Sequence, residues 1–170
     1  ESNGTPALES NGTPTGTTPT GTFKCVFAND VEKNSEKIYN LNHPDHHFIL
    51  KDLNDIDVDT IPRHDMLCGG FPCQPFSIAG ERKGFADSRS NVFWKILEIL
   101  DHHKPNMILL ENVKNLKSHD SGNTFKIIKD KLEKAGYWIK SSILDTSSIT
   151  SIPQHRERIY IVGFRNKSQH

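Results

Sequence analysis

The sequence contains few cysteines and no long apolar run. Three cysteines in 170 residues are an odd and small number, which argues against a disulfide framework and favours a reducing compartment. A run of about 18 apolar residues, as a membrane-spanning helix needs, is absent, and the first residues lack the apolar segment of a signal peptide. We therefore expect a cytoplasmic protein with one ordinary domain.

Net charge is also absent, because 21 Lys and Arg balance 21 Asp and Glu. Composition alone therefore gives no argument for nucleic-acid binding. The charge is uneven, however: residues 151–170 hold Arg156, Arg158, Arg165 and Lys167 against Glu157. Such a local basic edge can bind phosphates while the protein as a whole stays neutral.

Two common kinds of site have no sequence signature here. The chain has neither the G-x-G-x-x-G nor the Walker pattern of phosphate-binding loops. The histidines fall in polar clusters without paired cysteine ligands, so we interpret them as solvated and expect no metal site; they are His43, His46, His47, His102 and His103.

Residues 1–22 differ from the rest in composition. The hexapeptide Glu-Ser-Asn-Gly-Thr-Pro occurs at 1–6 and again at 9–14, and Thr, Gly and Pro dominate the remainder. Such a segment buries too little apolar surface to offset its ordering entropy. We expect 1–22 to be a flexible low-complexity tail and 23–170 to form the folded part.

Beyond the tail, short apolar runs alternate with amphipathic stretches. The pattern predicts strands at 24–28, 47–50, 65–68, 107–110, 137–144 and 159–164, and helices at 32–42, 91–103 and 123–135. Strands with continuous apolar centres, separated by helices, indicate an α/β fold with a mostly parallel sheet.

A cysteine in a stiff turn is the most informative local feature. Cys73 lies in a Pro-Cys-Gln-Pro sequence that follows Gly69 and Gly70. Proline fixes φ on both sides of Cys73-Gln74, so the thiol sits on a rigid turn at a strand end. A thiolate held in this way can add to an electron-poor ring carbon. The alternative is a buried cysteine in a turn.

Acidic residues follow several predicted strands. Asp30, Asp52 and Glu111, like the Cys73 loop, come directly after a strand. In an open α/β sheet these positions line the edge where ligands bind. A partly buried Glu111 could donate to a ring nitrogen and accept from an amino group, or be a capping or salt-bridged residue. Asp30 suits ribose hydroxyls and Asp52 an adenine amino group, although either could simply end a strand.

Two arginines alternate near the end of the chain. In an extended segment Arg156 and Arg158 would share a face. An arginine fork suits a carbonyl oxygen or a phosphate. The alternative is an ion pair with Glu157 or Asp145.

Four sequence blocks together match one family. They are Gly70-Phe-Pro-Cys-Gln74 with Pro75-Phe-Ser77, Asp87-Ser-Arg89, Glu111-Asn-Val113 with Lys114-Asn115, and Gln154-His-Arg-Glu-Arg158. From about Phe23 to Arg165 the chain resembles bacterial DNA (cytosine-5) methyltransferases. The resemblance implies an incomplete Rossmann-like fold that uses S-adenosyl-L-methionine and acts on double-stranded DNA.

The resemblance also implies a mechanism. The target cytosine rotates out of the duplex, since its ring cannot be reached inside the stack. Cys73 adds to C6, Glu111 binds the N3 and N4 edge, and Arg158, with Arg156, holds O2. C5 then takes the methyl group of S-adenosyl-L-methionine, and loss of the C5 proton expels the cysteine.

Binding residues follow from the same resemblance. Those expected at the cofactor are Asp30, Val31, Asp52, Leu53, Pro72 and Val92. Those expected at DNA are Gln74, Ser77, Arg82, Lys83 and Arg89.

The chain departs from the family pattern in two places. The family's opening strand with Phe-x-Gly-x-Gly is absent, and so is its target-recognition region. In the family that strand lies between the strands corresponding to 24–28 and 65–68, so two rows of backbone groups lose their partner. We therefore expect a chain that is unstable, rearranged, or completed by a complementary polypeptide. Two further alternatives remain open: a tRNA cytosine-5 methyltransferase, and an inactive fragment or split-enzyme half.

Overall fold

The computed structural model describes residues 23–44, 47–72 and 92–165. The strands in these ranges are β1 (Ala28–Asp30), β2 (Phe48–Leu50), β3 (Met66–Gly70), β4 (Met107–Val113), β5 (Trp138–Asp145) and β6 (Glu157–Phe164). The helices are α1 (Lys33–Asn42), α2 (Val92–His103), α3 (Asn123–Lys134) and α4 (Thr146–Ile149). The predicted α/β class is confirmed, whereas the expectation for 1–22 concerns residues outside the described ranges.

The described strands form two sheets. β1 pairs with β2 in parallel, and a four-stranded sheet has the order β3-β4-β6-β5. β3 and β4 are parallel, but β6 runs antiparallel to both β4 and β5. The expectation of a mostly parallel sheet is therefore corrected for the four-stranded sheet, which is mixed. Only α4 and a short loop join β5 to β6, and so short a connection suits antiparallel strands.

The sheet divides between β1 and β3. In the described part of the chain, β1 has β2 as its only strand neighbour and β3 has β4. This is the place where the sequence analysis puts the family strand that is absent from this sequence. An apolar cluster of Ile56, Ile61 and Ile99 contacts both sheets, because Ile49 of β2 and Leu67 of β3 pack against it.

The main core lies between the four-stranded sheet and helices α2 and α3. In α2, Phe93, Ile96 and Leu100 recur at helical spacing and are buried. The helix ends before Pro105, which cannot continue it. α3 ends as the sequence predicts, with Gly136 just beyond it at φ 94°, a conformation that glycine adopts without strain.

The helix α1 is the least buried of the longer helices. Its apolar residues Ile38 and Leu41 are 62% and 83% exposed. No helix in the described ranges is both long and apolar enough to cross a membrane.

One histidine departs from the solvated reading. His43, His47 and His102 are exposed, but His103 is half-buried and its Nε2 donates to the Val58 carbonyl at 2.9 Å. His46 lies outside the described residues. His103 therefore helps to hold the turn at 58–60 against α2.

Candidate active site

The carboxyl ends of β3 and β4 bring Gly70 next to Glu111. The two residues are register partners in the parallel ladder, and a Cβ added at Gly70 would lie 3.4 Å from Glu111 Oε2. The sequence places Glu111 after the strand, and this is corrected: β4 continues to Val113 because β6 pairs with it as far as Arg158. Glu111 is thus held by ladder hydrogen bonds on both sides.

Glu111 forms an ion pair with Arg158. Arg158 Nε lies 3.0 Å from Glu111 Oε1, and the two side chains are 21% and 35% exposed. Arg158 Nη1 also donates to the Glu157 carbonyl at 2.9 Å. Of the alternatives for Glu111, the salt-bridged one is what the structure has, and it joins two residues that the sequence analysis assigns to one site.

Arg156 is positioned differently from Arg158. It is exposed and precedes β6, so the two arginines do not lie in one extended strand as the sequence suggests. Asp145 does contact Arg156, but through the backbone: Oδ1 accepts the Arg156 N–H at 2.9 Å. Glu157 instead pairs with Lys114 and lies 3.6 Å from His155 Nε2. At Arg156 the contact with Asp145 is therefore made by the backbone N–H and not by the guanidinium.

Asp145 is the anchor of this arginine loop, residues 146–158. Besides Arg156, its carboxylate accepts from Ser147 N and Oγ at 3.3 and 3.0 Å, and His155 Nδ1 lies 2.5 Å from Oδ2. Burial by itself would raise the pKa of Asp145, but these hydrogen bonds outweigh it and lower the pKa from its ordinary 3.8. The lowered pKa keeps the carboxylate ionised and able to accept these bonds.

The predicted nucleophile lies outside the described residues, as do Gln74, Ser77, Arg82, Lys83 and Arg89. The chain is described up to Pro72, to which Cys73 is bonded. Phe71 is buried, and its carbonyl accepts a 2.7 Å hydrogen bond from Asn112 Nδ2. The start of the cysteine segment is thus tied to the residue next to Glu111, a contact that the sequence analysis missed.

The two described cysteines have other environments. The Cys68 residue is exposed, but partial desolvation of its thiol, with a smaller contribution from Cys25, raises its pKa above its ordinary 9.0. Cys25 accepts a hydrogen bond from Tyr39 Oη at 3.2 Å. A raised pKa leaves little thiolate at neutral pH, so Cys68 is a poor nucleophile.

Two cofactor candidates lie at the end of β1. Asp30 is half-buried, and its Oδ1 accepts the Glu32 N–H at 3.0 Å. Val31 follows it and is 64% exposed. An apolar side chain in solvent next to a carboxylate has the chemistry to contact an adenosine, whose base is flat and whose ribose donates hydroxyls.

The other cofactor candidates are more dispersed. Asp52 is exposed and caps the turn at 53–55 by accepting from Asn54 N at 2.8 Å. Leu53 and Val92 are half-buried and pack against the main core, and Pro72 is exposed. β1 and β2 run parallel with Asp30 opposite Leu50, so Asp30 and Asp52 lie at the same end of their sheet, as the sequence predicts.

Comparison with known proteins identifies the family. A family model described as C-5 cytosine-specific DNA methylase matches residues 7–170. The chain is 49% identical over 148 residues to Type II methyltransferase M.Bsp6I of Bacillus sp. (strain RFL6), covering 86% of this chain and 47% of that protein. It is 51% identical over 144 residues to Type II methyltransferase M.HaeII of Haemophilus aegyptius, covering 85% and 44%.

A solved structure supports the fold. A mutant of Spodoptera frugiperda DNMT2 matches with a TM-score of 0.66 and 27% identity over 85% of this chain and 43% of that one. The chain thus spans less than half the length of these relatives. With the family model matching nearly the whole sequence, the chain belongs to the C-5 cytosine-specific DNA methylase family.

Proposed function

We propose that this chain provides the catalytic centre for methyl transfer to C5 of cytosine in DNA, through a covalent bond between Cys73 and C6 of a flipped-out base. The observation that supports it most is the Glu111–Arg158 pair, 3.0 Å apart. Glu111 lies in β4 opposite Gly70, the last residue of β3, and β3 leads into the cysteine segment. An acid, a guanidinium and a thiol are what this reaction requires.

Cys73 is the nucleophile in this proposal. Its thiolate bonds to C6, and the electron pair of the C5–C6 double bond moves to C5, which becomes able to attack an electrophile. Cys68 is less suited to this role because it lies within β3, paired with Leu109 of β4, and its pKa is raised. Removal of the C5 proton later re-forms the double bond and releases the thiolate.

Glu111 and Arg158 hold the base edge. A carboxyl group can accept from the N4 amino group and bond to N3, while a guanidinium can donate to O2. Arg158 uses only part of its donors on Glu111 and the Glu157 carbonyl, so it can still donate to a carbonyl oxygen. Charge that develops on the ring is stabilised by these preorganised groups. Arg156, at the anchored loop, adds a second cation.

Double-stranded DNA is the substrate in this proposal, with the base extruded because C6 is inaccessible inside the stack. The residues assigned to DNA are Gln74, Ser77, Arg82, Lys83 and Arg89. Their basic members suit phosphates, which supply much of the affinity. The match to a family model described as a DNA methylase favours DNA over tRNA.

S-adenosyl-L-methionine is the proposed cofactor, and it supplies an electrophilic methyl group. Asp30 and Val31 would hold its adenosine by the chemistry described above, with Asp52, Leu53, Pro72 and Val92 around it. The half-buried Asp30 carboxylate beside an exposed valine fits this group.

A further strand would complete the fold. In the described ranges β1 and β3 each have one strand neighbour. An open strand edge presents a row of N–H and C=O groups that can pair with another strand. We therefore propose that a complementary polypeptide supplies a strand between β1 and β3 and the target-recognition region.

Labelled methyl transfer tests the proposal. The chain, alone and with polypeptides that contain the family's Phe-x-Gly-x-Gly strand and recognition region, is given labelled S-adenosyl-L-methionine and either duplex DNA or tRNA. We expect label at C5 of cytosine in DNA, lost in Cys73→Ser and kept in the matched Cys68→Ser. Label in tRNA alone, or in neither nucleic acid, would overturn it.

A further inference from the structure

Asn112 is a polar residue in an otherwise apolar row. It follows Ile108 and Leu110 on the buried face of β4 and is 3% exposed. Burying an amide is unfavourable unless its groups are hydrogen-bonded. Its Nδ2 donates to the Phe71 carbonyl at 2.7 Å, and its Oδ1 accepts the Val113 N–H at 2.8 Å. Both polar groups of the side chain are thus hydrogen-bonded. The oxygen bonds within β4, and the nitrogen bonds to the residue that follows β3.

Phe71 is held from two sides. Its ring is buried, with its centroid 5.3 Å from that of the Phe93 ring in α2. Its carbonyl accepts the hydrogen bond from Asn112. The next residue, Pro72, has a fixed φ. Fixing the Phe71 peptide therefore fixes the direction in which the chain leaves β3, two residues before Cys73.

The same amide is adjacent to Glu111. Successive side chains of a strand point to opposite faces, so Glu111 points toward Arg158 while Asn112 points toward the core. One residue of β4 thus links the strand that carries the acid to the segment that carries the thiol.

We infer that Asn112 is a positioning residue that sets the placement of the Cys73 thiol relative to Glu111. It acts through the Phe71 carbonyl and does not contact the base. This inference rests on the proposed function, and it adds a residue that controls the geometry of the proposed catalytic site.

Two variants separate the hydrogen bond from packing. Asn112→Asp keeps the shape and the acceptor for Val113 N–H but loses the donor to Phe71. Asn112→Leu fits the apolar row of β4 but loses both hydrogen bonds, to the Phe71 carbonyl and from the Val113 N–H. The control is Asn115→Asp, the same change in the exposed turn at 114–117. Thermal melting of each protein checks that it is folded.

The first readout is the rate of covalent adduct formation on duplex DNA carrying 5-fluorocytosine, with S-adenosyl-L-methionine. We expect both Asn112 variants to be slower by about 100-fold, since a misplacement of about 1 Å has that effect, with DNA affinity and the control unchanged. Acid should restore Asn112→Asp, because a protonated carboxyl can donate to Phe71, and should not restore Asn112→Leu. Rates are taken relative to wild type at each pH, so the pH dependence of the reaction itself cancels.

The second readout is hydrogen exchange in the peptide 71–77, which needs no activity. We expect faster exchange in both Asn112 variants and not in the control. Wild-type adduct rates in the variants, or a slow Asn112→Asp without recovery in acid, would overturn the inference. If wild type itself forms no adduct, the proposed function fails, and unchanged exchange would then overturn the positioning role as well.

Discussion

Arg158 and Glu111 meet diagonally across two antiparallel strands, with Nε 3.0 Å from Oε1. The register sets Arg158 opposite Val113, two residues along β4 from Glu111. Residues two apart in a strand share a face, and a diagonal pair is within reach of long side chains. The pairing of β4 with β6 therefore determines this contact.

We expect Glu111→Gln to lower methyl transfer by about 100–1000-fold, because loss of one preorganised group at developing charge has that effect. The protein should remain folded, since the side chain is 35% exposed. Steady-state kinetics on cytosine-containing duplex DNA, with melting curves, measure both.

Glu98→Gln is the matched control for that change. Glu98 pairs with Lys95 at 3.0 Å on α2, and it is 53% exposed. The Glu98→Gln substitution should leave the rate of methyl transfer unchanged. Equal losses in the two variants would mean that the Glu111 effect is not specific to the site.

Asp145→Ala should loosen the arginine loop. Four groups donate to or lie against this carboxylate, including the Arg156 backbone. Trypsin should then cleave after Arg156 several-fold faster than in wild type, because cleavage requires local opening. Asp130→Ala, which removes an exposed ion pair of α3, is the control, and equal cleavage in all three proteins would contradict the anchoring role.

The stability difference between wild type and Asp145→Ala should depend on pH. The folded pKa of Asp145 is lowered from 3.8, so the folded state favours the ionised form. The difference is then present above pH 3.8 and is lost as the pH falls through the folded pKa. Urea unfolding from pH 7 to about pH 2 would show it, and a constant difference across that range would contradict it.

Gly163→Ala should destabilise the fold by roughly 1–3 kcal/mol, the usual effect of overpacking. Gly163 lies between Ile108 and Ile139 in the sheet, and a Cβ there would be 2.7 Å from a side-chain carbon of each. At Gly69 the nearest atoms are 3.8 Å away, so Gly69→Ala should be neutral or stabilising by up to about 1 kcal/mol. Denaturant melts compare the two, and equal losses would contradict the packing argument.

Tyr137 should make stability sensitive to alkaline pH. Burial, against a smaller opposing effect of Arg165, raises its pKa from 10.0 to about 12, and its hydroxyl donates to the Pro105 carbonyl at 2.8 Å. Its contribution is fully present below pH 10.0 and is lost as the pH rises through about 12. Tyr137→Phe should lower the free energy of unfolding by roughly 1 kcal/mol at neutral pH. The difference in this free energy between the variant and wild type should become smaller at high pH, as unfolding curves would show.

The sequence predicted much of the fold, because apolar periodicity is a local property. The helix at 91–103 and the glycine after α3 lie within a residue of the observed positions. The extents of β4 and β6 could not be predicted in this way. They result from pairing between segments far apart in the chain, and that pairing extends both strands over Glu111 and Arg158.

The candidate site was predicted in its residue types but not in its supports. The acidic residue that follows an apolar run indicated Glu111, and the alternation of Arg156 and Arg158 indicated an arginine of the site. Asn112 and Asp145 gave no such signal. Their roles depend on backbone groups of Phe71 and Arg156, and any residue supplies a carbonyl or an N–H.

Mass mapping of the adduct on 5-fluorocytosine DNA tests the central claim most directly. The complex formed with S-adenosyl-L-methionine, in the presence of the proposed complementary polypeptide, is digested, and the modified peptide is sequenced. The account predicts a nucleotide attached to Cys73, absent in Cys73→Ser and strongly reduced in Glu111→Gln. A nucleotide attached to Cys25 or Cys68, or none in the fully assembled protein, would contradict it.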